Sequence, residues 1–160
     1  EDITERREEY VSATFRRCLK AWELTLAKRD RADKDTPQGL QDTGYFTQTS
    51  GFTQPLFVSL KQRTLVGDIL IPLVEICNCV HAREYRVASE WYMKLSIGNA
   101  AWPMGVTSVG IHERAATNNI FCGKVAHILN NDTQRKYIQG VKRLMTKAQQ
   151  LWPTDPSKSV

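Results

Sequence analysis

Long apolar runs are missing from this sequence of 160 residues. The longest apolar stretch, residues 69–80, is interrupted by Pro72, Glu75 and Asn78, whereas a membrane-spanning helix needs about 20 consecutive apolar residues. The sequence opens on a charged stretch, residues 1–9, which lacks the apolar core of a signal peptide. We therefore expect no membrane among the partners of this protein.

Recognisable catalytic motifs are also missing. There is no GxSxG elbow, no HExxH and no GxGxxG. His112, Glu113 and Arg114 form the one dense triplet of ionisable residue types. They could serve in acid–base catalysis, as hydrogen-bonding anchors for the preceding loop, or in direct contact with a partner. We favour the anchor.

The four cysteines, at positions 18, 77, 79 and 122, form neither a disulfide framework nor paired CxxC metal ligands. If residues 77–81 are helical, Cys77 and His81 share one face while Cys79 points away, so a tetrahedral metal site would need two further ligands. We interpret the cysteines as reduced core thiols. No metal and no cofactor is expected.

Strand-rich runs, internal repeats and low-complexity tracts are absent too. Apolar residues recur at helical spacing in five stretches, at about residues 3–31, 52–63, 68–81, 83–97 and 132–151. The pattern predicts one all-α domain over residues 1–160, a five-helix bundle with a long irregular loop between the fourth and fifth helices. Residues 30–51, which hold Pro37, three glycines and many Thr, Gln and Asp, are predicted to be a polar loop.

A net charge of +5 permits an anionic partner without requiring one. Basic residues cluster on the outer faces of the first and last predicted helices. Such residues are usually just solvated, but Arg16 and Arg17 in the first helix, and Lys142 and Arg143 in the last, are also adequate to contact phosphates or an acidic partner.

Residues 99–110, NAAWPMGVTSVG, are apolar but contain one proline and two glycines. Two interpretations remain open from the residues alone. The segment could be a loop that packs on its own Trp102 and Met104, or it could expose Trp102 and backbone amides to single-stranded RNA. The region 99–120 is our candidate functional loop.

Residues 97–114, IGNAAWPMGVTSVGIHER, resemble the central block of the pre-mRNA-splicing factor 18 family. Five further segments are similar to the same family, residues 83–85, 125–127, 133–139, 141–146 and 153–160. The resemblance therefore extends from Phe15 to Val160 and is weakest across residues 30–51. The pattern WPxGVTxVGIHER is long and unusual, which makes chance a poor explanation. The chain resembles the family's C-terminal functional domain, although Ala101 and Ala115 stand where Pro and Ser are usual.

The resemblance implies a five-helix bundle that acts in the nucleus, without catalysis of its own, at the second transesterification of pre-mRNA splicing. In that step the 5′ exon attacks the 3′ splice site. The resemblance further implies that the domain binds a zinc-knuckle second-step splicing factor. Its loop would contact spliceosomal RNA and the pre-mRNA exons near the 3′ splice site, a role that falls on Trp102, Pro103, Gly105, Val106, Thr107, Val109, Gly110, His112, Glu113 and Arg114.

For the protein partner, charge and expected exposure select Arg16, Arg17, Lys142 and Arg143. We expect a monomer. The alternative function is an autonomous single-stranded RNA-binding helical module, which would bind RNA tightly without a protein partner and with a steep salt dependence.

Overall fold

A computed structural model describes residues 6–100 and 132–160, without the side chains of residues 97–100. The helices are α1 (Arg7–Ala27), α2 (Arg31–Lys34), α3 (Pro37–Gln62), α4 (Gly67–Ala82), α5 (Tyr85–Ala100) and α6 (Asp132–Leu151), and a 3₁₀ turn follows at Pro156–Lys158. No strand occurs in these two ranges. The prediction of an all-α fold is confirmed, and α2 adds a single turn to the five predicted helices.

Helix α1 lies at the centre of the bundle and packs against α3, α4 and α6. The helical spacing of apolar residues predicted for this stretch is confirmed, because Val11, Phe15, Cys18 and Trp22 are all buried. These residues are spaced by four, three and four positions, which places them on one face of a helix. The helix is shorter than predicted and ends at Ala27.

The polar loop predicted for residues 30–51 is wrong, because α2 and the first half of α3 occupy most of this stretch. Thr36 caps α3, and its hydroxyl accepts the backbone N–H of Gly39 at 3.0 Å. Pro37 follows at the first helical position, where a missing N–H removes no intrahelical bond. The separate helix predicted at about residues 52–63 is the second half of the 26-residue α3, and Pro55 lies inside it.

Threonines explain how a helix with so polar a sequence packs one face against the core, although most of residues 37–51 are exposed. Thr49 and Thr53 are both fully buried. Their hydroxyls donate to carbonyls one turn back, Thr49 to Tyr45 at 2.8 Å and Thr53 to Thr49 at 3.2 Å. Each polar atom is thereby satisfied, and the methyl group packs like that of a small apolar residue.

Arg29 ties the end of α1 to the start of α3. Its Nε donates to the carbonyl of Leu26 at 2.9 Å, and its Nη1 to the carbonyl of Gly39 at 3.0 Å. Its Nη2 donates to the hydroxyl of Thr43 at 2.7 Å. The planar guanidinium suits this task because its donors point in fixed directions.

Helices α3 and α4 end on non-glycine residues in the left-handed region, Arg63 with φ 56° and Arg83 with φ 57°. Helix α4 begins one residue before the predicted start, with Val66 as its N-cap and Asp68 in its first turn. Taken singly, no helix in the described ranges is long and apolar enough to cross a membrane. Helices α3 and α4 taken together would be long and apolar enough for a membrane span, but they meet at a bend of 109°.

Helix α6 packs against α1, α3, α4 and α5. Its inner face buries Tyr137, Val141, Leu144 and Ala148, as the spacing predicts. The thiol of Cys18 in α1 donates to the carbonyl of Leu144 at 3.3 Å. The segment after α6 returns along α5, where Lys158 pairs with Glu84 at 3.1 Å.

Candidate functional site

The ten residues predicted to contact RNA, from Trp102 to Arg114, lie outside the described residues, and their role stays a prediction. The structure describes the two helices on either side. The hydroxyl of Tyr85, at the start of α5, donates to the carbonyls of Ala148 and Trp152 at 3.2 and 2.6 Å. Tyr92, further along α5, lines a groove together with Met145 of α6. The two helices therefore run in opposite directions, and residues 101–131 connect them at one end of the bundle.

Helix α5 extends to Ala100, three residues past the end predicted at about residue 97. The first two residues of the predicted loop region, 99 and 100, therefore belong to a helix. The rest of the region 99–120 lies outside the described residues.

The two arginines predicted on α1 point to different surfaces. Arg16 stacks over the ring of Phe57 at 4.3 Å, and it lines a groove of about 370 Å³ between α1 and α3 that also contains Glu8 and Glu9. Arg17 instead lies over the ring of Trp152, 4.8 Å away. Adjacent residues of a helix do not share a face, so this separation follows from helical geometry.

The two basic residues predicted on α6 diverge in the same way. Lys142 is exposed and lines the groove between α5 and α6. Arg143 is turned toward α3, where its Nη1 donates to Gln48 at 2.8 Å and to Thr49 at 3.3 Å. The four positions predicted for the protein partner therefore lie on separate surfaces and do not form one patch.

A row of cations and rings between α3 and α6 was missed by the sequence analysis. We call it the α3/α6 ridge, and it consists of Tyr45, Phe52, Lys136, Arg143 and Lys147. The guanidinium of Arg143 lies 4.3 Å from the ring centre of Tyr45 and 5.4 Å from that of Phe52. Lys136 lies over Phe52 at 5.9 Å. The missed signal is the spacing of seven between Tyr45 and Phe52, which shares a helical face only if α3 begins before residue 45.

The rings of the ridge rest on the end of the core. Lys147 lies 5.5 Å above the ring of Trp22, which is buried and contacts Tyr45 with ring centres 5.8 Å apart. A groove of about 290 Å³ runs beside Arg143 and Lys147. Asp42 is the acidic residue that lines it, and the amide of Gln38 donates to that carboxylate at 2.8 Å. Stacking of a cation on a ring contributes about 0.5–2 kcal/mol, depending on exposure.

The cysteines of α4 are buried thiols, as interpreted from the sequence. Burial raises the pKa of Cys77 to about 12, and burial also raises that of Cys79. His81 lies at the surface, where its Nε2 is 3.0 Å from the hydroxyl of Thr14 and its ring stacks on Tyr10. In the part of the chain that the structure covers, no three His, Cys, Asp or Glu residues are grouped as a metal site would require.

This chain belongs to the Prp18 domain family, whose model matches residues 12–154. It is similar to proteins named pre-mRNA-splicing factor 18. The Rattus norvegicus protein is 46% identical over 142 residues, which cover 89% of this chain and 42% of the relative. The Danio rerio protein is 43% identical over 150 residues, covering 94% and 44%. The Schizosaccharomyces pombe protein is 30% identical over 136 residues, covering 85% and 40%.

The chain therefore spans less than half the length of these curated relatives. The resemblance noted in the sequence and the family match agree, and they cover nearly the same residues. No solved structure was found that matches this chain significantly.

Proposed function

We propose that this chain is the helical domain of a non-catalytic pre-mRNA splicing factor that acts in the nucleus at the second transesterification step. The observation that carries the proposal is the family match over residues 12–154 together with relatives named pre-mRNA-splicing factor 18. In this proposal the RNA core of the spliceosome performs the chemistry. The domain acts by holding RNA and a protein partner in place.

Residues 102–114 are proposed to contact the exons and the 3′ splice site. The packing of α5 and α6 supports this, because both helices are anchored in the bundle and present the connecting segment at one end. A segment that joins two packed helices can change its contacts without disturbing the core beneath it.

The test is to replace residues 101–110 by a Gly/Ser linker of equal length, which leaves all of α5 intact. We expect unchanged helicity by circular dichroism. In an extract depleted of the natural factor, we expect first-step intermediates, the free 5′ exon and the lariat–exon, to accumulate. A matched control replaces residues 31–35 in the same way, because α2 buries no residue, and should restore both splicing steps. Normal second-step products from the 101–110 variant would remove the role of this segment.

The bundle is proposed to hold a zinc-knuckle second-step factor. Because Arg16, Arg17, Lys142 and Arg143 lie on separate surfaces, single substitutions can identify the face that is used. Each is replaced by Glu, and binding to the purified partner is measured by calorimetry. Loss confined to one variant assigns the face, whereas equal affinity for all four would remove these residues from the interface.

A further inference from the structure

Helix α6 concentrates the positive charge of the domain, since it carries five lysines and arginines but one acidic residue. Three of these cations, Lys136, Arg143 and Lys147, line the α3/α6 ridge. Within the described ranges, none of the three has a carboxylate at ion-pair distance. The ridge therefore presents positive charge that the rest of the described domain does not neutralise.

The three cations of the ridge lie in a line along α6. Lys136 and Lys147 are eleven positions apart in one helix, which corresponds to about 16 Å along its axis at about 1.5 Å per residue. Arg143 lies between them, and its guanidinium is held in place by Gln48 and Thr49. A planar guanidinium fixed in this way is prepared to bind an anion with its remaining donors.

Two aromatic rings, those of Tyr45 and Phe52, lie beside these cations along the same line. Tyr45 is 46% exposed and Phe52 is half-buried, so each residue keeps part of its surface open to solvent. The facing part of α3, residues 37–60, contains no Lys, Arg or Glu and a single Asp, while Gln and Thr supply neutral hydrogen-bonding groups. Cations in a line, aromatic faces and neutral polar groups are the composition with which proteins hold single-stranded nucleic acid.

We propose that the α3/α6 ridge binds the phosphate backbone of single-stranded RNA, as a contact separate from residues 102–114. The choice of RNA rests on the proposed function, whereas the anionic character of the ligand rests on the ridge itself. An acidic protein segment would also satisfy the charges. RNA is favoured because the cations are spread along a line and interleaved with rings. The ridge also begins one turn after Asp132, the first residue of α6 and the one that follows residues 101–131 in the chain.

The test compares two double variants that remove the same charge. Lys136→Gln/Lys147→Gln removes both lysines of the ridge and keeps Arg143, which also joins α3 to α6. The matched control, Lys20→Gln/Lys94→Gln, removes two exposed lysines elsewhere. Lys94 itself lies over a ring, that of Trp91 at 4.2 Å, so the control also loses a cation–ring contact. Helicity is checked for both variants by circular dichroism.

The probe is a fluorescent uridine oligomer of about 15 nucleotides, in the range of single-strand binding sites. Its affinity is measured by anisotropy from about 50 to 200 mM salt, where the slope of log K against log salt is about −0.7 for each phosphate contact in a single strand. We expect the ridge variant to lose about tenfold in affinity at low salt and to show a slope smaller in magnitude by about 1.4. The control should retain the wild-type affinity and slope.

Equal losses in the two double variants, or no binding by the wild-type chain at low salt, would overturn the inference. Competition by a glutamate oligomer as effective as that by unlabelled RNA would reassign the ridge to an acidic protein segment. Failure here is distinguishable from failure of the proposed function. If the ridge variant binds RNA normally but the 101–110 replacement still blocks the second step, the proposed function stands and the ridge inference falls.

Discussion

Gly140 lets α6 approach α3, and the substitution Gly140→Ala tests how tightly the two helices pack. An ideal Cβ on Gly140 would lie 2.8 Å from the Cγ2 of Thr53 and 3.6 Å from the Cβ of Phe52. The first distance is shorter than carbon atoms tolerate. Thr53 cannot easily rotate away, because it is fully buried and its hydroxyl donates to the carbonyl of Ser50 at 2.9 Å.

Two opposing effects determine the magnitude. Alanine in a helix interior is favoured over glycine by about 0.5–1 kcal/mol. Overpacking a filled core costs about 1–3 kcal/mol. We therefore expect Gly140→Ala to lower the free energy of unfolding by about 1–2 kcal/mol. The control is Gly51→Ala in α3, where nothing lies within 4 Å of the added carbon. There only the helix effect remains, so stability should rise by about 0.5–1 kcal/mol.

The assay is urea unfolding followed by circular dichroism, with the free energy extrapolated to water. A second change identifies the cause, because Thr53→Ser keeps the hydroxyl bond and removes the methyl that the new Cβ would strike. In the Gly140→Ala background it should recover about 1 kcal/mol, a coupling typical of residues in contact. A Gly140→Ala protein as stable as the wild type, or no recovery in the double variant, would refute this account of the α3–α6 contact.

The remaining predictions concern stability elsewhere in the bundle. The free energy of unfolding should fall as the pH rises above about 9, because burial raises the pKa of Cys18 and of Cys77 to about 12 and the unfolded chain loses these protons first. For each thiol, the free energy of unfolding should fall by at most about 1.4 kcal/mol per pH unit. Urea titrations at several pH values should show that Cys18→Ser lowers this pH dependence by the contribution of one thiol. Tyr85→Phe should cost about 1–2 kcal/mol in urea unfolding, since the carbonyl of Trp152 loses this donor while that of Ala148 keeps the backbone N–H of Trp152. The same change should make residues 152–160 easier to cleave by protease. Arg83→Gly should stabilise by up to about 1 kcal/mol in the same assay, because φ 57° is costly for an L-residue, and a loss of stability would contradict this.

Much of the fold could be predicted from the sequence because its helices bury unmistakable apolar stripes. The inner faces of α1 and α6 repeat large apolar residues every three or four positions, from Val11 to Trp22 and from Tyr137 to Ala148. A helix buries such a stripe only by turning that face toward the core. Element ends were predicted less well, as with the last residues of α1 and α5. Helix ends depend on local backbone bonds that residue type specifies only weakly.

The first half of α3 could not be predicted by treating threonine as polar. Thr49 and Thr53 complete the stripe that Phe46 begins and Leu56 continues, but this is visible only when their hydroxyls bond to the preceding turn. Tertiary packing outweighed the low helix propensity of the segment. The ridge escaped prediction for the same reason, because it requires Tyr45 and Phe52 to share one helix with a common face.

The predicted partner residues illustrate a different limit. Sequence neighbours such as Arg16 and Arg17 look like one basic patch in a linear reading, but a helix turns them apart onto Phe57 and Trp152. Charge and exposure selected residues that a partner could reach. They did not indicate which of these residues a single partner could reach together.

The contact between α1 and α6 has a consequence for synthesis of the chain. Cys18 and the carbonyl of Leu144 that it meets are 126 residues apart. A ribosome adds about 5–20 residues per second, so α6 is synthesised on the order of 10 s after the inner face of α1 with which it packs. Until α6 emerges, Val11 and Phe15 lack part of the cover that buries them in the finished bundle. During that interval the exposed apolar face of α1 is the part of the nascent domain most open to aggregation, and packing against α3 and α4 covers only part of it.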